Sequence, residues 1–251
     1  MITDTQLLRY SRHVLLNEWD ISGQEAILAS RVLVVGCGGL AHPALTYLVS
    51  AGVGNIVLAD DDTVELSNLQ RQFWFTEADI AKNKAKILQQ RLGERNPDVV
   101  IHAHACRVDA DFLQKYLPKV DCVLDCTDNF VSRCLINRMA HQYQVPLISA
   151  SALMFSGQLA VYDFRCENTP CYQCVFDGNI NDVDAACAKN GVFSPLLGIM
   201  GAAQAAESLK LLANINTQTK TVLHHFDALR FQWHQWQVQK NPACPICGQR
   251  D

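Results

Sequence analysis

Arg31-Val-Leu-Val-Val-Gly-Cys-Gly-Gly-Leu-Ala41 decides the fold of this chain. Its first half is a short, β-branched run ending at Gly36, the form of a strand buried on both faces of a parallel sheet. Its second half sets glycines at 36, 38 and 39. A phosphate group can therefore approach backbone N–H donors at the N-terminus of the next helix, where the dipole also favours an anion. This is the strand–turn–helix pattern of nucleotide binding. Ala41 takes the last small position in place of glycine, and Asp60 ends the next apolar run where a ribose-binding acid belongs. Alone, the pattern admits an NAD-linked oxidoreductase or a tight turn that holds no ligand.

Four further segments have the same strand character: 55–60, 99–104, 121–125 and 145–150. Helical periodicity between them places helices over about 40–51, 83–96, 109–117 and 129–144, with Asn96-Pro97 ending the second. Strands alternating with helices give a doubly wound α/β sheet. After residue 150 the segments 157–163, 221–226 and 229–237 alternate like antiparallel strands, and 196–213 is a long apolar helix. The polar stretch 177–190 reads as a mobile loop. The expected architecture is α/β: a Rossmann-like, doubly wound, mainly parallel sheet extended by antiparallel strands. We expect one domain over 1–251, with an N-terminal helical arm (1–30), a nucleotide-binding half (31–150) and a second half (151–251).

A chain of 251 residues with 49% hydrophobic content can bury a large core. Its formal net charge of -4, with 18% charged residues and no basic stripe, excludes a nucleic-acid backbone binder. Residues 1–12 lack an apolar signal region and no apolar run approaches the length of a membrane span, so we expect a cytoplasmic protein with no membrane partner.

The segment after Asp60 shifts the reading from dinucleotide to triphosphate. Asp60-Asp-Asp-Thr-Val-Glu-Leu-Ser-Asn-Leu-Gln-Arg-Gln72 puts acids, amides and Arg71 beyond the C-terminal edge of the second strand, where open α/β sheets bind ligands. Lys84 opens the next helix, and Asp128-Asn129 follows the fourth strand at the same edge. Two cations, a glycine loop and an acid able to hold Mg2+ are the parts needed to bind and cleave ATP. Singly, Arg71 reads equally well as a surface ion pair and Lys84 as a solvated helix residue.

Arg9-Tyr-Ser-Arg12, the glycine loop, the run 51–72, Leu124-Asp-Cys-Thr-Asp-Asn129, Gly157-Gln-Leu159, two CxxC pairs and the helix 198–212 together resemble the bacterial E1-like adenylyltransferases of molybdopterin-synthase and thiamine-pathway type. The resemblance spans essentially the whole chain. It implies ATP-dependent adenylation of the C-terminal glycine of a small ubiquitin-like sulfur-carrier protein with a Gly-Gly tail, released as an acyl-adenylate with pyrophosphate. The second half of the chain would then bind the carrier. The implied nucleotide-binding residues are Gly36, Gly38, Gly39, Asp60, Asp62, Asn68, Arg71, Gln72, Lys84, Asp128 and Asn129, with Asp60 on the ribose and Asp128 on Mg2+. Arg12 matches an arginine that reaches into the partner subunit's site, so a homodimer is implied. Asn83 stands where the family carries proline. The motifs serve a molybdopterin or a thiamine carrier equally. A non-catalytic scaffold for a ubiquitin-like protein is the alternative; an NAD-linked oxidoreductase would need no such set as Arg71, Lys84 and Asp128.

Of eleven cysteines, Cys171, Cys174, Cys244 and Cys247 form two CxxC pairs flanked by turn residues, the ligand set of a closed four-cysteine zinc knuckle of structural Zn2+. A redox-active pair or unligated thiols are the other readings. Cys122, Cys126 and Cys134 read as core filler. Cys187, in the 177–190 stretch, matches a loop cysteine that bonds to the carrier in some relatives; a plain loop cysteine is the competing reading. The chain ends just past the second pair, so the sulfur donor is expected to be a separate protein. The eight histidines read as structural, because an ionised C-terminal carboxylate needs no base to attack phosphorus.

Overall fold

Val32 to Val35 are buried on both faces of the sheet, and this two-sided burial makes β1 (Arg31–Val35) the centre of the molecule. The computed structural model describes residues 2–176, 191–215 and 221–248. Val32 and Val34 face one hydrophobic core, Leu33 and Val35 the other, as the two-residue period of a strand requires. The remaining strands are β2 (Asn55–Ala59), β3 (Val100–His104), β4 (Cys122–Asp125), β5 (Leu147–Leu153), β6 (Ser156–Tyr162), β7 (Val222–Asp227) and β8 (Gln232–Gln237). They form one sheet in the order β3-β2-β1-β4-β5-β6-β7-β8. Pairing is parallel from β3 to β5 and antiparallel from β5 to β8. Strand order reverses between β1 and β4, leaving the crevice in which doubly wound sheets bind ligands.

The helices among the described residues are α1 (Asp4–Arg9), α2 (Ser11–Val14), α3 (Asp20–Ala29), α4 (Ala41–Ala51), α5 (Lys84–Gly93), α6 (Ala110–Tyr116), α7 (Phe130–Gln142), α8 (Tyr172–Val175) and α9 (Ser194–Leu212). No described helix is long and apolar enough to cross a membrane. α3, α4, α5 and α9 contribute to the core on one face, α6 and α7 to the other. α4 and α9 approach closely: a Cβ on Gly201 would stand 2.2 Å from the Leu40 carbonyl oxygen, so only glycine fits.

Several expected boundaries move for local reasons. β8 begins at Gln232 rather than 229, because the Asp227 carboxylate accepts hydrogen bonds from the Leu229 and Arg230 N–H groups and folds 228–231 into a turn. α5 ends at Gly93, before Asn96-Pro97. Asn96 is instead a buried tie whose Nδ2 donates to Val49 O (2.7 Å) and Tyr10 Oη (3.0 Å). β5 continues to Leu153 and hairpins directly into β6. The segment 177–190, with Cys187, lies outside the described residues.

Two features outside the core matter later. β3 is an edge strand, and its outward carbonyls are taken by side chains: Lys86 Nζ donates to Ala103 O (2.8 Å) and Gln89 Nε2 to Ile101 O (2.6 Å). The N-terminal arm is fastened at the opposite edge from the crevice. Tyr10 Oη donates to Asp98, which precedes β3, at 2.8 Å, and its ring covers Gly52 after α4.

His42, in the first turn of α4, is fully buried. Its Nδ1 accepts the Trp74 N–H at 3.0 Å, and Phe73 and Phe75 meet its ring edge-on. Burial disfavours the imidazolium and lowers its pKa from 6.5 to about 3. The unfolded chain therefore takes up this proton first as pH falls, so stability is fully present above 6.5 and is lost towards 3. From this group alone the loss between pH 7 and pH 4 is ~3 kcal/mol. Urea unfolding at both pH values should show that His42→Gln, which keeps an acceptor for Trp74, loses that much less than the wild type. Equal losses would mean that His42 titrates freely in the folded protein.

Candidate active site

The C-terminal ends of β1, β2 and β4 deliver the candidate residues to one crevice. Gly36 leaves β1 at φ +91°, a left-handed conformation suited to glycine. A Cβ there would also sit 2.8 Å from the Cys126 carbonyl oxygen, so the β1 and β4 turns pass in backbone contact. The absent side chain at Gly39 makes room for Leu197 of α9, 2.7 Å from where its Cβ would lie. Gly38 is the open member of the loop: its Cβ position is 3.8 Å from Gln72 Nε2 and meets nothing else. Ala41 is fully buried as the first residue of α4, so the departure from glycine falls in the helix rather than in the loop.

Asp60, past the end of β2, is tied to the glycine loop. Its Oδ2 accepts the Cys37 N–H at 2.6 Å and its Oδ1 the Asp62 N–H at 2.8 Å. Burial nevertheless raises its pKa, against the pull of these two N–H groups and of the Lys84 charge. The carboxylate oxygens of Asp60, Asp61 and Asp62 lie within 4.8 Å of one another.

Three lysines open or precede α5, and their environments differ. Lys84 is buried, with Nζ 2.8 Å from the Asp62 carboxylate. Lys82 is exposed and reaches Asp79 at 3.8 Å, while Lys86 caps the β3 edge. Only Lys84 of the three faces the acids of the crevice. Asn83, where proline was expected, caps α5 by accepting the Lys86 N–H at 3.1 Å, and its Nδ2 holds Asp60 O (2.9 Å) and Asp62 O (3.1 Å). The amide therefore fastens the acidic turn to the helix that carries Lys84.

The segment after β2 folds into a short 3-10 turn over Leu66–Asn68. Asn68 is buried and builds that turn: its Oδ1 accepts Glu65 N–H, and its carbonyl accepts the N–H groups of Arg71 and Gln72. Arg71 is half-buried and donates to Ser67 O at 2.8 Å. Gln72 is buried over the glycine loop, and its Oε1 has no hydrogen-bond partner. A buried acceptor without a donor costs about 1–3 kcal/mol, so this oxygen is open to a donor from outside the described residues.

The β4 turn rests on residues that sequence reasoning did not single out. Asp125, 1% exposed, pairs with the buried Arg133 of α7 (3.3 Å), and Ser149 Oγ donates to the same carboxylate (3.1 Å). Arg133 also donates to Thr127 O, and Thr127 returns a hydrogen bond to Asp125. Gln204 of α9, fully buried, ties Asp125 O and Ile148 O together. This frame carries the exposed Asp128 out to the crevice, while Asn129 caps α7 through the Ser132 N–H.

Two predicted groups lie elsewhere. Arg12 is exposed on α2, in the arm docked beyond the N-terminal ends of the strands, and pairs with no described residue. The four cysteines of the CxxC pairs meet on the other face of the sheet. Their sulfurs lie within 4.8 Å of one another, with Cys171 and Cys244 at 3.5 Å and Cys174 and Cys247 at 3.2 Å. These separations are too long for disulfides and fit the edges of a tetrahedron drawn around one metal ion.

Comparison with known proteins places this geometry. The ThiF family profile matches residues 10–246. The chain is 42% identical over 247 residues to the Escherichia coli (strain K12) sulfur carrier protein ThiS adenylyltransferase, covering 98% of this chain and 97% of that one. It is 38% identical over 248 residues to the molybdopterin-synthase adenylyltransferase of Salmonella typhimurium, covering 99% of each. Among solved structures, E. coli MccB with ATP superimposes with a TM-score of 0.81 at 24% identity, over 96% of this chain and 74% of that one, a likeness of fold. With its motif-bearing turns gathered at the β1–β4 crevice and near full-length relatives in two branches, the chain belongs to the ThiF family of E1-like adenylyltransferases.

Proposed function

We propose that this protein adenylates the C-terminal glycine of a small ubiquitin-like sulfur-carrier protein with a Gly-Gly tail, using ATP in the β1–β4 crevice. The observation that carries the reading is the convergence there of the Gly38 opening, the partnerless Gln72 Oε1 and the buried Lys84. The adenylyltransferase names of both near full-length relatives support it.

The carrier's terminal carboxylate, ionised at neutral pH, attacks the α-phosphorus of ATP. The bond from that phosphorus to the bridging oxygen breaks, and pyrophosphate leaves with the electron pair. No proton is transferred, so the buried neutral His42 has no part in the step. The protein supplies in-line positioning and compensates charge on the phosphates. Asp60 would hold the ribose, with Gly36, Gly38, Gly39 and Asp62 lining the nucleotide's approach. Asn68, Arg71 and Lys84 would contact the triphosphate, and Gln72 Oε1 would accept from a hydroxyl or amino group of the nucleotide. Asp128, exposed beside Asn129 at the end of β4, would hold Mg2+, which neutralises phosphate charge when bound. Lys84 is paired with Asp62 at 2.8 Å, so phosphate would draw it from a partner that is 67% exposed, an inexpensive exchange.

Arg12 would complete the site of a second subunit. The arm that bears it is docked at the wrong edge of its own sheet, and it exposes Leu8 (79%) and Leu15 (73%), an apolar surface suited to a twofold partner. The carrier would dock on the antiparallel extension, where Phe231 (76%), Trp233 and Trp236 stand exposed. We assign the four-cysteine cage to Zn2+ as a closed structural site, because four thiolates leave no open coordination position. The use of ATP and the unpaired cysteines among the described residues support a cytoplasmic location.

Incubation with a thiamine-type or a molybdopterin-type carrier should drive pyrophosphate–ATP exchange, and the carrier that does so names the pathway. No exchange with any Gly-Gly carrier of the same cell would overturn the proposal. Asp128→Ala should lower exchange by about 100-fold or more with an unchanged circular dichroism spectrum; near-normal turnover would remove it from the Mg2+ site. Co-refolding Arg12→Ala with Asp128→Ala, each inactive alone, should restore about one quarter of wild-type activity, since half the dimers then hold one intact site. No restoration would place Arg12 outside the partner's site.

A further inference from the structure

α7 presents a buried polar row to the interior. Arg133 is 7% exposed and Asn137 fully buried, one turn apart, so they share a face. Arg133 serves the β4 turn. Asn137 faces the cysteine cage: its Oδ1 accepts the N–H of Tyr172, the residue after Cys171, at 2.9 Å. Its Nδ2 is buried and has no acceptor within the strict limits of a hydrogen bond among the described residues. An amide N–H in that position costs about 1–3 kcal/mol unless something accepts from it.

We propose that Asn137 is an outer-shell residue of the metal site, holding the first knuckle through the Tyr172 N–H and donating its Nδ2–H to the Cys171 thiolate. The inference rests on the assignment of the cage to a metal, since metal binding removes the thiol proton and turns that sulfur into a strong acceptor. Three further observations support it. The Asn137 side chain lies within hydrogen-bonding reach of the Cys171 sulfur. Cys174 Sγ, by contrast, has backbone donors of its own, accepting from Cys171 N (3.5 Å) and Asn241 N (3.4 Å). Finally, Tyr172 packs on Phe130 at the start of α7, with ring centroids 6.1 Å apart, so the knuckle grips the helix at both ends of the polar row. Asn137 thus acts on the metal through Cys171, as a positioning residue that also locks the knuckle to the helix following Asp128.

Asn137→Asp keeps an acceptor for Tyr172 but sets a carboxylate against the thiolates, and Asn137→Leu preserves volume while removing both bonds. Metal analysis of the intact wild-type chain should give one zinc. Transfer of that zinc to the chelator 4-(2-pyridylazo)resorcinol should be about 10–100-fold faster from zinc-loaded N137D, and faster too from N137L. In the cobalt-substituted protein the thiolate-to-metal absorption bands should shift in both variants. Wild-type release rates and unshifted bands in either soluble variant would overturn the role of Asn137 while leaving the metal assignment intact. A wild-type chain that takes up neither zinc nor cobalt would overturn the assignment itself, and the outer-shell role with it.

Discussion

The ion pair of Asp125 and Arg133 stands inside the protein, where an unpaired carboxylate could not be held. Its geometry, completed by Ser149 and Thr127, fixes where the β4 backbone turns. That turn lies against Gly36 with no room for a side chain, so the position of the glycine loop follows from it. The Cys37 N–H in turn holds Asp60, and Asp60 carries the acidic turn that Asn83 fastens to α5 and Lys84. A buried pair of this kind contributes little net stability against apolar replacements, while loss of one partner costs about 3–5 kcal/mol. Its value here is registration: one charged contact sets the mutual placement of three sheet-edge turns.

The sheet was legible because its central strands carry continuous β-branched runs, which water does not tolerate on either face. The glycine loop was legible because its backbone requires glycine at 36. The C-terminal boundaries were less so. Leu229 and Phe231 read as strand by hydropathy, yet the Asp227 carboxylate captures the following N–H groups, and a local hydrogen bond outcompeted the pattern. Spacing picked out Lys84, but Lys82 and Lys86 lie close to it in sequence, and a helix N-terminus brings all three near the same edge. Only the packing shows that Lys86 is occupied by a strand carbonyl and Lys82 by Asp79.

Buried polar side chains were the least legible part of the site. Gln204, Arg133 and Asn137 sit on helices whose other residues read as ordinary amphipathic filler, and nothing in sequence spacing tells a buried amide from a solvated one. Their roles follow from what they face: strand-end carbonyls for Gln204, a carboxylate for Arg133, the knuckle for Asn137. His42 shows the converse. A histidine beside a phosphate loop invites a catalytic reading, but its complete burial and its bond to the Trp74 N–H make it a strut between α4 and the segment bearing Arg71 and Gln72.

The two rims of the sheet are finished differently. At β3 the outward carbonyls of Ile101 and Ala103 are consumed by Gln89 and Lys86, so a foreign strand would have to displace two side chains before it could dock. At β8 every residue is exposed and no such plug intervenes among the described residues. Among the described residues, copies of this chain can therefore pair sheet edges only β8 to β8, an arrangement that closes after two copies and leaves the same rim open to a partner's strand. A protein with broad apolar surfaces for its partners thus denies itself the head-to-tail stacking from which open-ended fibres grow.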